Sequence, residues 1–263
     1  MPAPENLFKA ALKNGQAQMG CWVGLADAYA AEITATAGFD WLLIDCEHAP
    51  NDLRSMMAQL QVVEASSSKP VVRLPVGDTV LIKQFLDAGA QTLLVPMVES
   101  RDQAEDLVRA VRYPPNGVRG VGSSLARASR FSAIPDYLKS ADREICLLVQ
   151  VENRAGLAEL DGILSVDGID GVFIGPSDLA ADMGHIGEPM HPDVVSSIMD
   201  ALTRTRDAGK APGILTTNRD FARTCLELGA LFVATTIDVT LYAAAIRQAA
   251  RQALQLRESL PED

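Results

Sequence analysis

The chain has 263 residues, 48% of them hydrophobic and only 5% aromatic, which is enough aliphatic material for one large buried core. A formal net charge of −11 argues against nucleic acid or an anionic membrane surface as a partner, so any anionic ligand must be drawn in by local positive charge. No stretch approaches the roughly 18 apolar residues of a membrane span.

The opening MPAPENLFKAALKNG reads as a short amphipathic helix rather than a secretory leader, because it has no uninterrupted apolar core. Cys21, Cys46, Cys146 and Cys225 are isolated, with no C-x-x-C spacing, and read as buried free thiols of a reducing, cytoplasmic compartment. Apolar β-like runs then recur at residues 19–25, 41–45, 70–74, 92–97, 145–152, 171–175, 212–216 and 231–236. Helical-period segments lie between them, several with a visible start: Asp27 before 28–37, Asn51 before 52–65, Asp78 before 79–88 and Ser100 before 101–112. Gly38, Gly89, Gly209 and Gly229 punctuate helix ends, where glycine adopts the left-handed cap that turns the chain back toward the next strand. Eight such repeats without a linker or a composition break predict a single α/β domain, residues 1–263, folded as a (β/α)8 barrel; a doubly wound open sheet is the weaker alternative.

Two segments fall outside this rhythm. Residues 113–143 form a long connection whose Gly120-Val121-Gly122 lacks the strand and helix that frame a phosphate loop, and a lid or a subunit contact is expected there. The terminal helix, about 239–259, carries an Ala-rich face (Leu241, Ala245, Ala249, Ala253) that suits close packing on its own barrel or on a neighbour.

In a barrel the chemistry sits where strands end and βα loops begin. FDWLLIDCEHAP, residues 39–50, runs from a strand buried on both faces straight into Asp45, Glu47 and His48. Asp45 reads equally as a cap for the next helix. Arg73 ends the third strand, Gln150 and Glu152 the fifth, Gly175, Pro176, Ser177 and Asp178 follow the sixth, and Thr216 and Asn218 the seventh. Glu152 and Asp178, from adjacent strands, could share a hard divalent cation such as Mg²⁺ or Mn²⁺, leaving positions for a ligand that chelates through two oxygens. The bland reading pairs Glu152 with Arg154 and makes Asp178 the cap of a helix over 179–183. The Gly175–Asp178 turn also offers backbone N–H groups to a carboxylate. Arg73 would point into the barrel, either toward an oxyanion or into a buried pair with Asp45. No lysine is expected at the strand C-termini: Lys69 and Lys210 precede strands, and Lys83 lies on a helix. Imine chemistry is therefore not expected. His185 and His191, in MGHIGEPMHP, read as loop residues whose spacing matches no familiar ligand pattern.

FDWLLIDCEHAP, PVVRLP, QTLLVPM, RYPPNGVRGVGSSLARASR, VQVENRAG, DGVFIGPSDLAADMG and ELGALFVA together resemble the HpcH/HpaI class II pyruvate aldolases, over nearly the whole chain. The resemblance implies a (β/α)8 barrel of the phosphoenolpyruvate/pyruvate type. It implies a homohexamer, a dimer of trimers, in which the terminal helix is exchanged between subunits. The activity implied is reversible cleavage of a 4-hydroxy-2-oxo acid to pyruvate and an aldehyde, with a divalent ion (Mg²⁺, Mn²⁺ or Co²⁺) and no organic cofactor. By motif match Glu152 and Asp178 hold the metal. His48 is the general base, alone or through a water, and Arg73 stabilises the enolate oxygen. Gln150, Gly175, Ser177 (through its backbone) and Asp178 bind the pyruvyl part, Trp22 and Leu215 line the aldehyde pocket, and Asp45 supports the site. Asp87, by position a helix-end surface residue, matches an acid that raises the basicity of a neighbouring subunit's histidine. Cys46, where glycine is usual, and Thr216-Thr217, in place of a more apolar pair, depart from the pattern near the aldehyde side. Alternatives within the family are 2-keto-3-deoxy sugar acids as substrates or hydroxypyruvate as donor; outside it, a metal-binding barrel without catalysis.

Overall fold

The eight apolar runs form eight parallel strands, β1 Gln18–Val23, β2 Trp41–Asp45, β3 Lys69–Arg73, β4 Thr92–Val95, β5 Cys146–Val151, β6 Gly171–Ile174, β7 Ala211–Leu215 and β8 Phe232–Ile237. Each pairs with its neighbour in sequence, and β8 closes on β1 with a register shift at Gly20/Cys21. This computed structural model describes residues 1–258, so residue 259 of the expected terminal helix lies outside the described residues. The open-sheet alternative is thereby excluded.

Twelve helices surround or cap the barrel among the described residues: α1 Leu7–Lys13, α2 Ala28–Ala35, α3 Leu53–Glu64, α4 Thr79–Ala88, α5 Arg101–Val111, α6 Tyr137–Glu144, α7 Arg154–Ala158, α8 Leu160–Leu164, α9 Pro176–Asp182, α10 Pro192–Asp207, α11 Arg219–Glu227 and α12 Asp238–Glu258. Their starts follow the sequence signals. Asp27, Asp78 and Ser100 each accept from backbone amides of the first turn, as N-caps should. At α3 the cap is Asp52, in a reciprocal capping box with Ser55, and not Asn51, which instead donates to the Asp45 carbonyl at 2.7 Å. Gly89 closes α4 at φ 112°, a conformation that side chains with a Cβ adopt only under strain.

Strand parity decides what lies inside. Leu43, Val71, Leu94, Leu148 and Phe173 point to the barrel axis with Trp41 and Phe232. Their neighbours Ile44, Val72, Leu93, Val149 and Ile174 pack outward against helix residues such as Met56, Leu60, Ile82 and Phe85. Continuing the inward parity by two residues brings Asp45, Arg73 and Gln150 to the C-terminal mouth, and by four along β5 it brings Glu152. At the other end α1 plugs the barrel. Phe8 sets its ring 5.9 Å from Trp41 and 6.2 Å from Phe232, a burial worth about 1.5–3 kcal/mol for such a side chain.

The 113–143 connection is more structured than expected. It holds a 3-10 turn at Arg127–Ser129 and the helix α6, with Tyr113, Ile134, Tyr137 and Ala141 in a small core of their own with Ala3. Arg119 is fully buried, 4.4 Å over the Tyr113 ring and 2.9 Å from Asp87. Val121, Leu125 and Phe131 stay exposed on the single chain. α12 behaves differently from every other long helix, because only Asp238 of it is buried. No described helix is long and apolar enough to cross a membrane.

The tightest approach inside the barrel is at Gly20, where an added Cβ would sit 2.2 Å from the Trp41 ring. Gly20→Ala is expected to lower the urea-unfolding free energy by about 1–3 kcal/mol. An unchanged midpoint would show that the Trp41 ring yields freely, contrary to this packing.

Candidate active site

The mouth of the barrel opens into a cavity of about 450 Å³ lined by Trp22, Asp45, His48, Arg73, Gln150 and Asp178, together with Gly175, Ser177 and Leu215. Nine of the residues singled out from sequence thus converge on one space.

Arg73 organises one side. Asp45 is its direct neighbour in the β2–β3 register. The guanidinium donates from Nε to Asp45 Oδ1 at 2.9 Å and from Nη2 to Oδ2 at 2.6 Å, a bidentate pair. Its third nitrogen, Nη1, lies 2.8 Å from Glu47 Oε2 as an ion pair whose angle makes no hydrogen bond. The Trp22 ring lies 4.9 Å from the guanidinium carbon, and its Nε1 donates to Asp45 Oδ2 at 3.2 Å. The buried pair with Asp45 is therefore formed, and the guanidinium also lines the cavity. Asp45 further accepts from the amides of Glu47 (3.0 Å) and His48 (3.3 Å), a turn at the strand end rather than a helix cap. Burial alone would raise the Asp45 carboxyl, but the Arg73 hydrogen bonds and charge, with the two amides, hold it below the usual range. The His48 side chain is exposed at the rim, 4.0 Å from Glu47.

Glu152 organises the other side. It is buried directly under Gly175, where an added Cβ would stand 2.5 Å from Glu152 Oε2 and 2.9 Å from Gln150 Nε2. Met97, held at φ 55°, donates its amide to Glu152 Oε1 at 2.8 Å, and Gln150 Nε2 donates to Oε2. A non-glycine residue in the left-handed region stores of order 1 kcal/mol of strain, and here the amide it aims belongs to the site. Burial pushes the Glu152 carboxyl up to about 7, with the Asp178 and Glu47 charges adding to the effect against the two hydrogen bonds. No described cation pairs with it: Arg154, the bland partner, binds Asp182 instead at 3.0 Å. Nor does Asp178 cap a helix over 179–183, because α9 starts earlier, with Gly175 as N-cap and Pro176 at its first position. The first-turn amides of α9 have no partner inside the helix.

Asp87 is not brought into this cavity; within the chain it pairs with Arg119 on the far side of α4. Sequence reading gave Glu47 no role, although its parity with Asp45 aims it inward. Burial, reinforced by Asp45 and Asp178, raises its carboxyl despite Arg73. Phe173, Ile237, Val239 and Thr240 also line the space. The last two have no local signal, because they reach it only through the path of α12, where Asp238 accepts from the Gly24 amide at 2.8 Å. A larger cavity of about 1150 Å³ lies at the opposite, N-terminal face, away from the strand ends where these groups meet.

The HpcH/HpaI aldolase/citrate lyase family model matches residues 18–245. The chain belongs to this family. It is an aldolase, a carbon–carbon lyase. A hydroxypyruvate/pyruvate aldolase of Roseovarius nubinhibens is 61% identical over 94% of this chain and 96% of its own length. A 4-hydroxy-2-oxo-heptane-1,7-dioate aldolase of Escherichia coli is 57% identical over 92% of each chain. A crystal structure of a family protein from Burkholderia cenocepacia superposes with a TM-score of 0.90 at 40% identity, covering 94% of this chain and 99% of that one.

The position of Glu152 gives the aldolase, free of any added metal, a pH signature. Its carboxyl rises from an ordinary 4.5 to about 7, so the folded chain keeps a proton that the unfolded chain gives up within that window. Stability therefore falls as pH rises from about 4.5 to 7 and levels off above. Urea titrations after exhaustive chelation should show that decline flattened in Glu152→Gln, with the variant the more stable protein at about pH 8. Equal pH slopes in the two proteins would assign the shift to another group.

Proposed function

We propose that this aldolase reversibly cleaves 4-hydroxy-2-oxo acids of the 4-hydroxy-2-oxoheptanedioate type to pyruvate and an aldehyde such as succinic semialdehyde. Its cofactor in this reading is a divalent cation (Mg²⁺, Mn²⁺ or Co²⁺), with no organic group. The observation that carries the proposal is Glu152, a carboxyl sealed under the cavity floor, opposed by Asp178 and Glu47, and without a cation of its own among the described residues. Glu152 and Asp178 supply the hard oxygen donors that such an ion prefers, and Gly175 leaves the room. When bound, the ion supplies Lewis-acid polarisation of the 2-oxo group.

The chain's own residues do the rest. Arg73, fixed by Asp45 and Glu47, faces the oxygen on which negative charge gathers as the C3–C4 bond breaks. His48 takes the C4 hydroxyl proton at an imidazole nitrogen as the aldehyde forms. The Ser177 and Asp178 amides and the side-chain amide nitrogen of Gln150, Nε2, are the donors that hold the pyruvyl end. Trp22, Leu215 and Ile237 offer apolar wall to the aldehyde part. A second reading takes hydroxypyruvate as donor, favoured by the relatives of 60–61% identity that carry that name. Relative cleavage rates over a panel of 4-hydroxy-2-oxo acids, with and without a C3 hydroxyl, separate the two. The buried free thiols fit a cytoplasmic setting.

In the same reading the chain assembles as a homohexamer, with α12 seated on a neighbouring copy and Asp87 acting on that neighbour's side of the contact. Support comes from Val239, Leu241, Tyr242 and Ile246, all exposed on a helix that its own barrel leaves uncovered.

Arg73→Lys, which keeps the charge but loses the fork, should cut turnover and pyruvate C3 deuterium exchange by about 10²–10³. Near-wild-type exchange would remove Arg73 from the reaction. Exhaustive chelation should abolish both activities and added Mg²⁺ or Mn²⁺ restore them; full activity after chelation overturns the metal reading. Light scattering should give six chains per particle, and Tyr242→Glu with Ile246→Glu should reduce that mass. A wild-type monomer would end the hexamer proposal.

A further inference from the structure

The loop between α9 and α10 folds back on itself in successive turns. His185 donates its amide to Ala180 at 2.7 Å, Glu188 to the His185 carbonyl at 2.9 Å, and His191 to the Glu188 carbonyl at 2.9 Å, with Gly184 and Gly187 at positive φ. Two histidines six positions apart thereby come face to face, ring centroids 3.5 Å apart and planes 13° from parallel. Asp193, one residue into α10, stands by both: its Oδ2 is 3.8 Å from His185 Nε2 and 3.8 Å from His191 Nδ1.

Neither distance is a hydrogen bond. The carboxylate oxygen sits equidistant from two ring nitrogens and bonds neither. The three donor atoms lie within 4.8 Å of one another. The imidazoles are half-buried, so their positions are confined, while Asp193 is exposed and free to adjust. The one bond in the way is weak: His191 Nδ1 accepts the Asp193 amide at 3.3 Å as the cap of α10.

We propose that His185, His191 and Asp193 form a second metal site, for a borderline or soft divalent ion of the Zn²⁺ or Cu²⁺ class. Two imidazoles and one carboxylate are the donors such ions select, whereas the pair read as metal ligands at the barrel mouth, Glu152 and Asp178, are both carboxylates. In a tetrahedral site with bonds of about 2.0–2.1 Å the donors stand about 3.3–3.4 Å apart. Each 3.8 Å separation must close by about half an ångström, and the rings must swing from parallel to converging. Both movements are within side-chain rotation for half-exposed groups. The ion staples the end of α9, whose first turn carries Ser177 and Asp178, to the start of α10. Solvent completes its coordination.

The sequence makes the test decisive, because the chain has only three histidines and the third, His48, is at the barrel mouth. Tag-free protein loaded with one equivalent of Cu²⁺ should give an electron paramagnetic resonance spectrum with superhyperfine coupling from two nitrogens. His185→Gln and His191→Asn should each lose that two-nitrogen pattern; asparagine keeps the helix cap, so the second variant separates ligation from folding. Zn²⁺ equilibrium dialysis should show one ion fewer per chain in the double variant. A wild-type spectrum without coupling from two nitrogens, or a pattern and stoichiometry unchanged in the double variant, overturns the site.

Discussion

A guanidinium inside a ring of aliphatic side chains is tolerable only where its charge is met on the spot, and that constraint shapes the mouth of this barrel. Asp45 meets Arg73 through two hydrogen bonds from the adjacent strand, and Glu47 takes the remaining nitrogen. Asp45 also receives Trp22 from β1 and the amides of Glu47 and His48. A single carboxylate thus ties three strands to the turn that carries the rim histidine. Buried ion pairs of this kind add little net stability, yet stripping one partner typically costs about 3–5 kcal/mol. The arrangement is better understood as fixing a direction than as holding the fold together.

The balance of charge around that clamp explains why the opposite side matters. With Asp45, Glu47, Glu152 and Asp178 all ionised against Arg73, the mouth would carry an excess of negative charge that repels a carboxylate ligand. Burial, with the neighbouring carboxylates adding to it, raises the Glu152 and Glu47 carboxyls, so each keeps its proton to a higher pH than a free carboxyl does. In the proposed function a divalent ion offsets the excess charge and turns a repulsive pocket into one that accepts a 2-oxo acid.

Much of this was legible in the sequence because it depends on periods of two and on local caps. Alternation along β2, β3 and β5 places Asp45, Arg73, Gln150 and Glu152 on the inward face near the strand ends, and the residues at Asp27, Asp78 and Ser100 announced their helices. What escaped depends on contacts between distant segments. Glu47 shares the parity of Asp45, but nothing local says that Arg73 has a third nitrogen to satisfy. Thr240 reaches the cavity only because α12 crosses beside β1. The helix start at Pro176 was misplaced because Asp178 is itself a good capping residue, and proline at the first helical position won. Asp87 shows the reverse: motif matching gave it a part in catalysis, whereas one chain gives it only Arg119.

The plug at the base has a kinetic corollary. With Phe8, Trp41 and Phe232 filling the barrel floor, the cavity at the mouth is closed toward the base of the barrel. In the proposed reaction a fragment seated deepest would then have the longer way out, and the fragment nearer the rim would leave ahead of it.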